Sequence, residues 1–597
     1  MTRPHYIRHN KASQSPSRIF IVDTETKPEK IGGGRKVHKL VIGAYIFARR
    51  VKERWIEEFS FFNYPELFWT RVVEEAEKHK TVWVFAHNWH FDFQVLHGFE
   101  VLPKLGCWLS GTFAVDSSRF FLNYKCGKAV VKIVDSTNYF KVSLEEIAKL
   151  YGMEKVKVED WETVDAKTLM ERVEKDVYIL YYIIRDLADW WYSEKLGKFA
   201  VTAAGLAWNA FRHRFTRFKI LSHQNPKLEA AERDAYFGGR TEVFKWGRYQ
   251  GRFYILDVNS MYPAVMRDGL YPIRPLGHVG DVSPREVARA PDKVVYNCLA
   301  YIETDVEIYP KRFQGAGLVF PVGRFVTRLI GPELKEAARR KHLAKAEDCY
   351  VYEAAPIFKE YVEYFWALRQ KYKAEGDKVR EQFAKLLLNS LYGKFGQWVR
   401  PLKALGTALM PRYLAADFVD VDAQKTGRFY QAGFEVFIQL KEKKSWENAV
   451  VAISATVTSY ARLALWSFIE TAGLENVYYV DTDSLMVDQE GLERLRPLIG
   501  SDLGWLKLEK EADTVEIRAP KDYTFGSVVK IKGVPKRAEE VTDGIFAYSK
   551  ITKVKTSLKE GLPEPIETLE VKILNRWVKK RVVLPDGSTE PLRLLEW

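Results

Sequence analysis

Cysteine is scarce in this chain: four residues in 597, at positions 107, 126, 298 and 349, with no CxxC pair. That excludes a zinc ribbon, gives no sign of a disulfide framework, and fits thiols kept in a reducing interior. Long apolar runs are also missing. No stretch approaches the ~18 residues that a membrane helix needs, and the opening MTRPHYIRHNKASQSPSRIF is charged without the apolar segment of a secretory signal. A cytoplasmic setting, in a cell or an infected host, is expected, with no membrane span. No internal repeat or low-complexity tract is evident. Asn, Gln and Cys are sparse beside Lys, Arg and Glu, a bias of proteins from hot environments. Acid is outweighed: 92 Lys and Arg against 78 Asp and Glu give a formal charge of +14. Such a surplus faces a polyanion, nucleic acid first and an anionic membrane surface second. A hydrophobic content of 47% with 14% aromatics excludes extensive disorder, and the length exceeds one hydrophobic core, so several packed units are expected.

What acid there is turns up inside apolar segments. Val477 to Val487 reads VYYVDTDSLMV, a strand pair by its β-branched and aromatic flanks, interrupted by Asp481 and Asp483. Residues i and i+2 of a strand share a face, and a tight turn would bring the carboxylates together equally well. Unneutralised, they would repel and be costly to desolvate, so a cation is expected between them; an Asp-rich turn with solvated side chains is the plain alternative. IFIV (Ile19 to Val22) leads as a strand into DTET, TVWVFA (Thr81 to Ala86) leads into HNWHFD, and Asp176 lies in MERVEKDVYILYYIIRDLADWW, whose apolar spacing is helical. A second block opens with YFGGR (Tyr236 to Arg240) and the strand RFYILDVNSMYP, continues through a charged helical stretch, FKEYVEYFWALRQKYKAEGDKVREQFAKLLLNSLYGKFG, and closes with the DTD segment. Residues 406–445 read as an inserted loop or ribbon, and the alternation in VVKIKGV, LEVKIL and RWVKKRVVL beyond about Gly526 as a small basic, β-rich unit.

Asp257, ending the apolar strand YILD, is the best partner for Asp481 and Asp483. DVNSMYP (Asp257 to Pro263), KLLLNSLYG (Lys385 to Gly393) and YVDTDS (Tyr479 to Ser484), in this order, resemble motifs A, B and C of the family B DNA polymerases. The resemblance implies nucleotidyl transfer assisted by two Mg²⁺ ions, or Mn²⁺, which hard oxygen ligands suit. Asp257 and Asp483 would bridge the metals, Val258 would join the metal set and Asp481 would support it. For dNTP binding it implies Arg369 and Lys373, an RxxxK pair on a helix, with Lys385, Asn389 and Tyr392 roughly on one helical face and Tyr262 as a wall against a ribose 2′-OH. Read without the resemblance, Arg369 and Lys373 are a solvated helix face, and Tyr262 and Tyr392 are core aromatics. Tyr236, Gly238 and Gly239 of YFGGR resemble an element that approaches DNA closely. Thr458 and Arg462 in TSYAR, and Lys521 and Tyr523 in KDY, match motifs that hold template and primer phosphates.

Asp23, Glu25, Asp92 and Asp176 resemble the four carboxylates of the 3′→5′ proofreading exonuclease of the same family, another two-metal site. Asn88 and Phe91 would hold the frayed single strand, with Thr26, His87, Ser136 and Lys157 as further single-strand or catalytic helpers. One residue departs from the pattern: where the family's third exonuclease motif reads YxxxD, Arg172 stands four residues before Asp176. A literal YxxxD runs from Tyr182 to Asp186, but KDVYIL and the distance to motif A favour Asp176, which implies a missing tyrosine and a slower exonuclease.

The fold implied is α/β and α+β multidomain: an RNase H-like exonuclease followed by a right-hand polymerase with two insertions. The boundaries are exonuclease 1–190, palm 191–265, palm continuation with a first, terminal-protein-region-like insertion 266–357, fingers 358–396, a second insertion of strand-displacement type 397–450, palm 451–525 and thumb 526–597. The early exonuclease, short fingers and both insertions resemble the protein-primed branch, like the replicases of small Bacillus phages. Primer-template and single-stranded DNA, dNTPs and a terminal protein are the implied partners of a monomer with processive strand displacement. Alternatives are a primer-independent relative and a stand-alone exonuclease with a non-catalytic DNA-binding half.

Overall fold

The structure is a computed structural model, and residues 3–158, 163–400, 402–421 and 424–597 are described. The amino-terminal unit is built on a mixed sheet in which Arg18–Gly32, Thr81–Ala86 and Ala129–Asp135 run parallel, with Arg35–Val51 antiparallel beside the first. Parallel strands need cover on both faces, which is why IFIV and TVWVFA are continuous apolar runs rather than alternating ones. Ile19 and Ile21 pack under Val173, Val177, Leu180 and Ile184 of the helix Ala166–Ser193. Phe20 and Val22 face Phe68, Trp69 and Val72 of the helix Pro65–His79.

The second block centres on a seven-stranded antiparallel sheet with the order Thr241–Val243, Val477–Asp481, Ser484–Asp488, Gly247–Val258, Leu506–Ala519, Asp522–Phe525, Val528–Ile531. Leu256, Val480 and Leu485 on one face bury against Leu465 and Ile469 of the helix Val451–Ala472. The segment between motif A and the charged helices forms a separate five-stranded sheet that includes Tyr271–Val282, Val294–Thr304, Val322–Ile330 and Leu343–Ala355. The charged stretch is a pair of helices, Lys359–Ala374 and Lys378–Ser390, broken where Gly376 takes φ +74° and the Asp377 side chain accepts from Arg380 N. Trp190 Nε1 donates to Tyr372 OH at 3.0 Å, tying this pair to the amino-terminal unit.

The inserted segment is indeed a ribbon, two antiparallel strands Leu402–Asp420 and Lys425–Leu440. It lies on the amino-terminal unit. At Gly433 (φ +57°) a Cβ would sit 2.5 Å from Phe99 O, and Glu435 Oε1 accepts from Leu109 N at 3.0 Å.

Two expectations fail here. The residues beyond Gly526 do not form a unit of their own: Glu539–Thr542, Ile545–Ile551 and Ile566–Ile573 extend the amino-terminal sheet through the pairs Lys36↔Glu567 and Val37↔Ile566, whereas Arg593–Leu595 pairs in parallel with Val322–Ile330. Arg581 is buried between Glu307 and Glu242. The cysteines are not free thiols either, because Cys107–Cys126 and Cys298–Cys349 are disulfides with Cα–Cα distances of 4.2 Å. Spacings of 19 and 51 residues hide the pairing from the sequence; adjacent strands bring the partners opposite one another, Cys107 being in direct register with Cys126. Among the described residues no helix is long and apolar enough to cross a membrane.

Candidate active site

Asp481 and Asp483 do not share one strand. They flank a tight turn between Val477–Asp481 and Ser484–Asp488, closed by Asp483 N donating to Asp481 O at 2.8 Å. Thr482 takes φ +68°, a strained choice for a β-branched residue. Val477, Val480, Leu485 and Val487 are buried below it, each contributing roughly 1.5–3 kcal/mol, so the strands are anchored while the turn holds charge. Asp257 ends the neighbouring strand opposite Ser484, and Val258 N donates to Asp483 O at 2.8 Å, locking the two acidic segments together. Partial burial, the Asp483 carboxylate and Glu509 push Asp257 up to about 7; burial and Asp481 also raise Asp483. Asp481 is paired with Lys521, whose Nζ lies 2.5 Å and 2.8 Å from its two oxygens.

Several predicted residues gather around this end of the sheet. Tyr262 and Tyr392 stack with centroids 4.6 Å apart and planes 14° from parallel. Arg369 donates to Ser260 Oγ at 3.1 Å and reaches Glu381 across the helix pair at 3.4 Å. Lys373, Lys385 and Asn389 are exposed, and the Lys385 charge acts on Asp257. Tyr523 is buried, packed on Tyr479.

Three assignments change. Thr458 and Arg462 are buried; Arg462 grips Glu333 at 2.6 and 2.8 Å and donates to the carbonyls of Phe237 and Gly238, so it fastens the YFGG segment from inside and has no exposed edge for a phosphate. Gly239 is small for Thr482: a Cβ there would lie 2.7 Å from Thr482 Cγ2, and Arg240 O accepts from Thr482 N at 2.6 Å. Gly238 faces open space, and the ring of Tyr236 fills the place a Cβ on Gly396 would take. The residue that the sequence reading missed is Glu509, which alternates with lysines on the exposed strand Leu506–Ala519 and looks like surface until the sheet sets it near Asp257.

The second cluster sits where the parallel strands meet the helix. Oxygens of Asp23, Glu25 and Asp176 lie within 4.8 Å of one another. Asp92, buried on the helix Trp89–Val95, accepts from Thr24 Oγ1 at 2.7 Å and adds its charge to Asp23. Burial comes first in raising all four. It carries Asp23 well above the carboxylate range and Asp176 upward, and Glu25 and Asp92 reach about 7. Asp176 Oδ1 is buried without a hydrogen-bond partner. An orphaned oxygen among crowded, poorly solvated carboxylates fits a divalent cation. Tyr182 and Asp186 point elsewhere, Tyr182 to Tyr178 and Asp186 to Tyr151 and Arg185.

Around this cluster His87 Nδ1 is 2.8 Å from buried Ser136 Oγ, with burial lowering His87 to about 4. Thr26 Oγ1 is 3.0 Å from His38 Nδ1, and the His38 ring meets Phe91 edge-on at 5.5 Å. Asn88 is exposed at φ +80°. Lys157 is exposed, and it is Lys155 whose Nζ reaches Asp176, at 2.6 Å; the two-residue offset lies in an irregular segment that no periodicity could register.

The family described as DNA polymerase type B, organellar and viral, matches residues 62–471. A protein of Ascobolus immersus named "Probable DNA polymerase" is 28% identical over 380 residues, covering 62% of this chain and 29% of that protein. The "DNA-directed DNA polymerase" of Enterobacteria phage PRD1 is 25% identical over 298 residues, half of each chain. The chain spans less than two thirds of the length of its fungal relatives, from 29% in Ascobolus immersus and 45% in Podospora anserina to 60% in Agaricus bitorquis. The orthorhombic crystal form of Phi29 DNA polymerase superimposes with a TM-score of 0.68 at 16% identity, over 94% of this chain and all of that one. The same polymerase "complexed with primer-template DNA and incoming nucleotide substrates" gives 0.66. At that identity the likeness establishes a shared fold.

Proposed function

The chain belongs to the type B DNA polymerases of organelles and viruses, and from that premise we propose that it extends a primer 3′-OH with dNTPs at Asp257 and Asp483 and removes mispaired 3′ ends at Asp23, Glu25, Asp92 and Asp176. The observation that carries the reading is the backbone bond from Val258 N to Asp483 O, which holds two carboxylates of remote sequence at one sheet end. Mg²⁺ or Mn²⁺, two per site, would be held by Asp257, Asp483 and the adjacent Val258, and would stabilise the attacking and leaving oxygens of an in-line displacement. Lys521 neutralises Asp481, leaving the other two carboxylates to the metals. Arg369, Lys373, Lys385 and Asn389 would contact the triphosphate, and the Tyr262–Tyr392 stack would offer a flat wall to the sugar and base.

In this reading residues 1–190 are the exonuclease, 191–265 and 451–525 the palm and 358–396 the fingers, with 266–357 and 397–450 carrying the insertions; 526–597 would serve as the thumb, its strands shared among the neighbouring sheets rather than folded as a separate unit. The ribbon packed on the amino-terminal unit supports strand displacement, and the segment 266–357, set apart in its own sheet, supports an insertion that would receive a priming terminal protein. The test is extension of a labelled primer annealed ahead of a blocking strand, with dNTPs and Mg²⁺. Full-length product is expected from the wild type, with a loss on the order of 10³-fold in Asp483→Ala. No extension by the folded wild type, or equal extension by the variant, contradicts the assignment.

A further inference from the structure

The exonuclease cluster carries its own counter-ions. Arg172, four residues before Asp176 on the helix Ala166–Ser193 and therefore on the same face, places Nε 2.6 Å from Glu25 Oε1 and donates through Nη1 to Val156 O at 2.6 Å. Next to Val156, Lys155 places Nζ 2.6 Å from Asp176 Oδ2. The Arg172 and Glu25 side chains are 18% and 7% exposed, so solvent screens this pair little. The polymerase cluster differs. There only Asp481 has such a partner, and neither Asp257 nor Asp483 forms an ion pair among the described residues.

We propose that Arg172 is a resident counter-ion which a divalent cation must displace from Glu25, so that Arg172 sets the metal demand of the exonuclease site above that of the polymerase site. The inference rests on the exonuclease reading of that cluster. A guanidinium and a divalent cation compete for the same carboxylate oxygen, and uptake of metal gives up a short, poorly screened ion pair while bringing two more positive charges towards Arg172 and Lys155. The bond to Val156 O gives the displaced guanidinium a second anchor, so it can swing off Glu25 without leaving the site. The consequence is a window of metal concentration in which synthesis proceeds and proofreading is silent.

The test is Mn²⁺ uptake, read from the free-ion electron paramagnetic resonance signal, in the full chain carrying Asp257→Asn and Asp483→Asn so that the exonuclease cluster alone is filled. Adding Arg172→Gln is expected to lower the half-saturating Mn²⁺ about tenfold, the effect of removing one close cation. Arg172→Lys, which keeps the charge, stays within about twofold of the parent on the same grounds. With Glu25→Gln already present, Arg172→Gln produces no further shift. A crystal structure of the parent with Mn²⁺ gives an answer that does not depend on any Arg172 variant folding: Arg172 is expected off Glu25 Oε1. Unchanged or weaker Mn²⁺ binding in Arg172→Gln, or an intact Arg172–Glu25 contact beside bound Mn²⁺, overturns the proposal and leaves the exonuclease reading standing. No uptake by the parent, or uptake insensitive to Asp23→Asn, overturns both.

Discussion

Asp257, Glu25 and Asp92 are each lifted to about 7 by burial and neighbouring charge, against 3.8 to 4.5 in an unstructured chain. Between those limits the folded protein holds protons that the unfolded chain has released, so stability falls as pH rises from about 4 towards 7 and levels off above it. The contribution is fully present below the unfolded values and lost as pH passes the folded ones. The metal-free protein should therefore melt at a lower temperature at pH 8 than at pH 5.5, and saturating Mg²⁺ should raise the melting temperature most at pH 8. A thermal scan over that range checks it; a midpoint that rises with pH without metal would contradict the placement of these groups. Acid interrupting or ending apolar segments made these carboxylates conspicuous in the sequence, and their grouping into two sites came from the resemblance of the surrounding motifs. Arg462 was misread for the opposite reason: a pattern says which residue follows which, but not whether Glu333, far away in sequence, closes over it.

The turn that carries Asp483 depends on a glycine in another element. Gly239→Ala would push a methyl group to 2.7 Å from Thr482 Cγ2, and a β-branched residue already at positive φ has little freedom to yield. Primer extension should fall on the order of tenfold, by displacement of Asp483 from its place beside Asp257, with degradation of single-stranded DNA unchanged. Gly239→Ala combined with Thr482→Ser should recover part of the loss. If Gly239→Ala extends primers normally, the packing argument is wrong. Strand chemistry also decides the cysteines. The two disulfides close loops of 19 and 51 residues, which on chain-entropy grounds contribute roughly 3–4 kcal/mol each. Denatured, unreduced protein should show no titratable thiols, and reductant should lower the melting temperature; four thiols would restore the reduced-interior expectation. The strands themselves were readable from β-branched runs and the ribbon from its glycine, proline and scattered charge. Which strands become neighbours was not, because register is set by contacts between distant segments.

On the scale of the molecule, the carboxyl-terminal segment is divided between an extension of the amino-terminal sheet and an edge of the five-stranded sheet. The two carboxylate clusters are thus held in one continuous body, through the strand pairing at Val37, the ribbon at Gly433 and the helix contact at Trp190. The order of motifs in the chain revealed the two clusters but none of these joins, whose residues are ordinary strand and core types. The central claim is that the two clusters do opposite chemistry on one 3′ end. It is tested most directly with a labelled primer carrying a 3′ mismatch on its template, in Mg²⁺, following wild type, Asp23→Ala and Asp483→Ala with and without dNTPs. The account predicts that Asp483→Ala shortens the primer and never extends it, that Asp23→Ala leaves the mismatch in place yet extends a matched primer, and that the wild type trims and then extends. Loss of both activities in either folded variant, or shortening that survives Asp23→Ala, would contradict it.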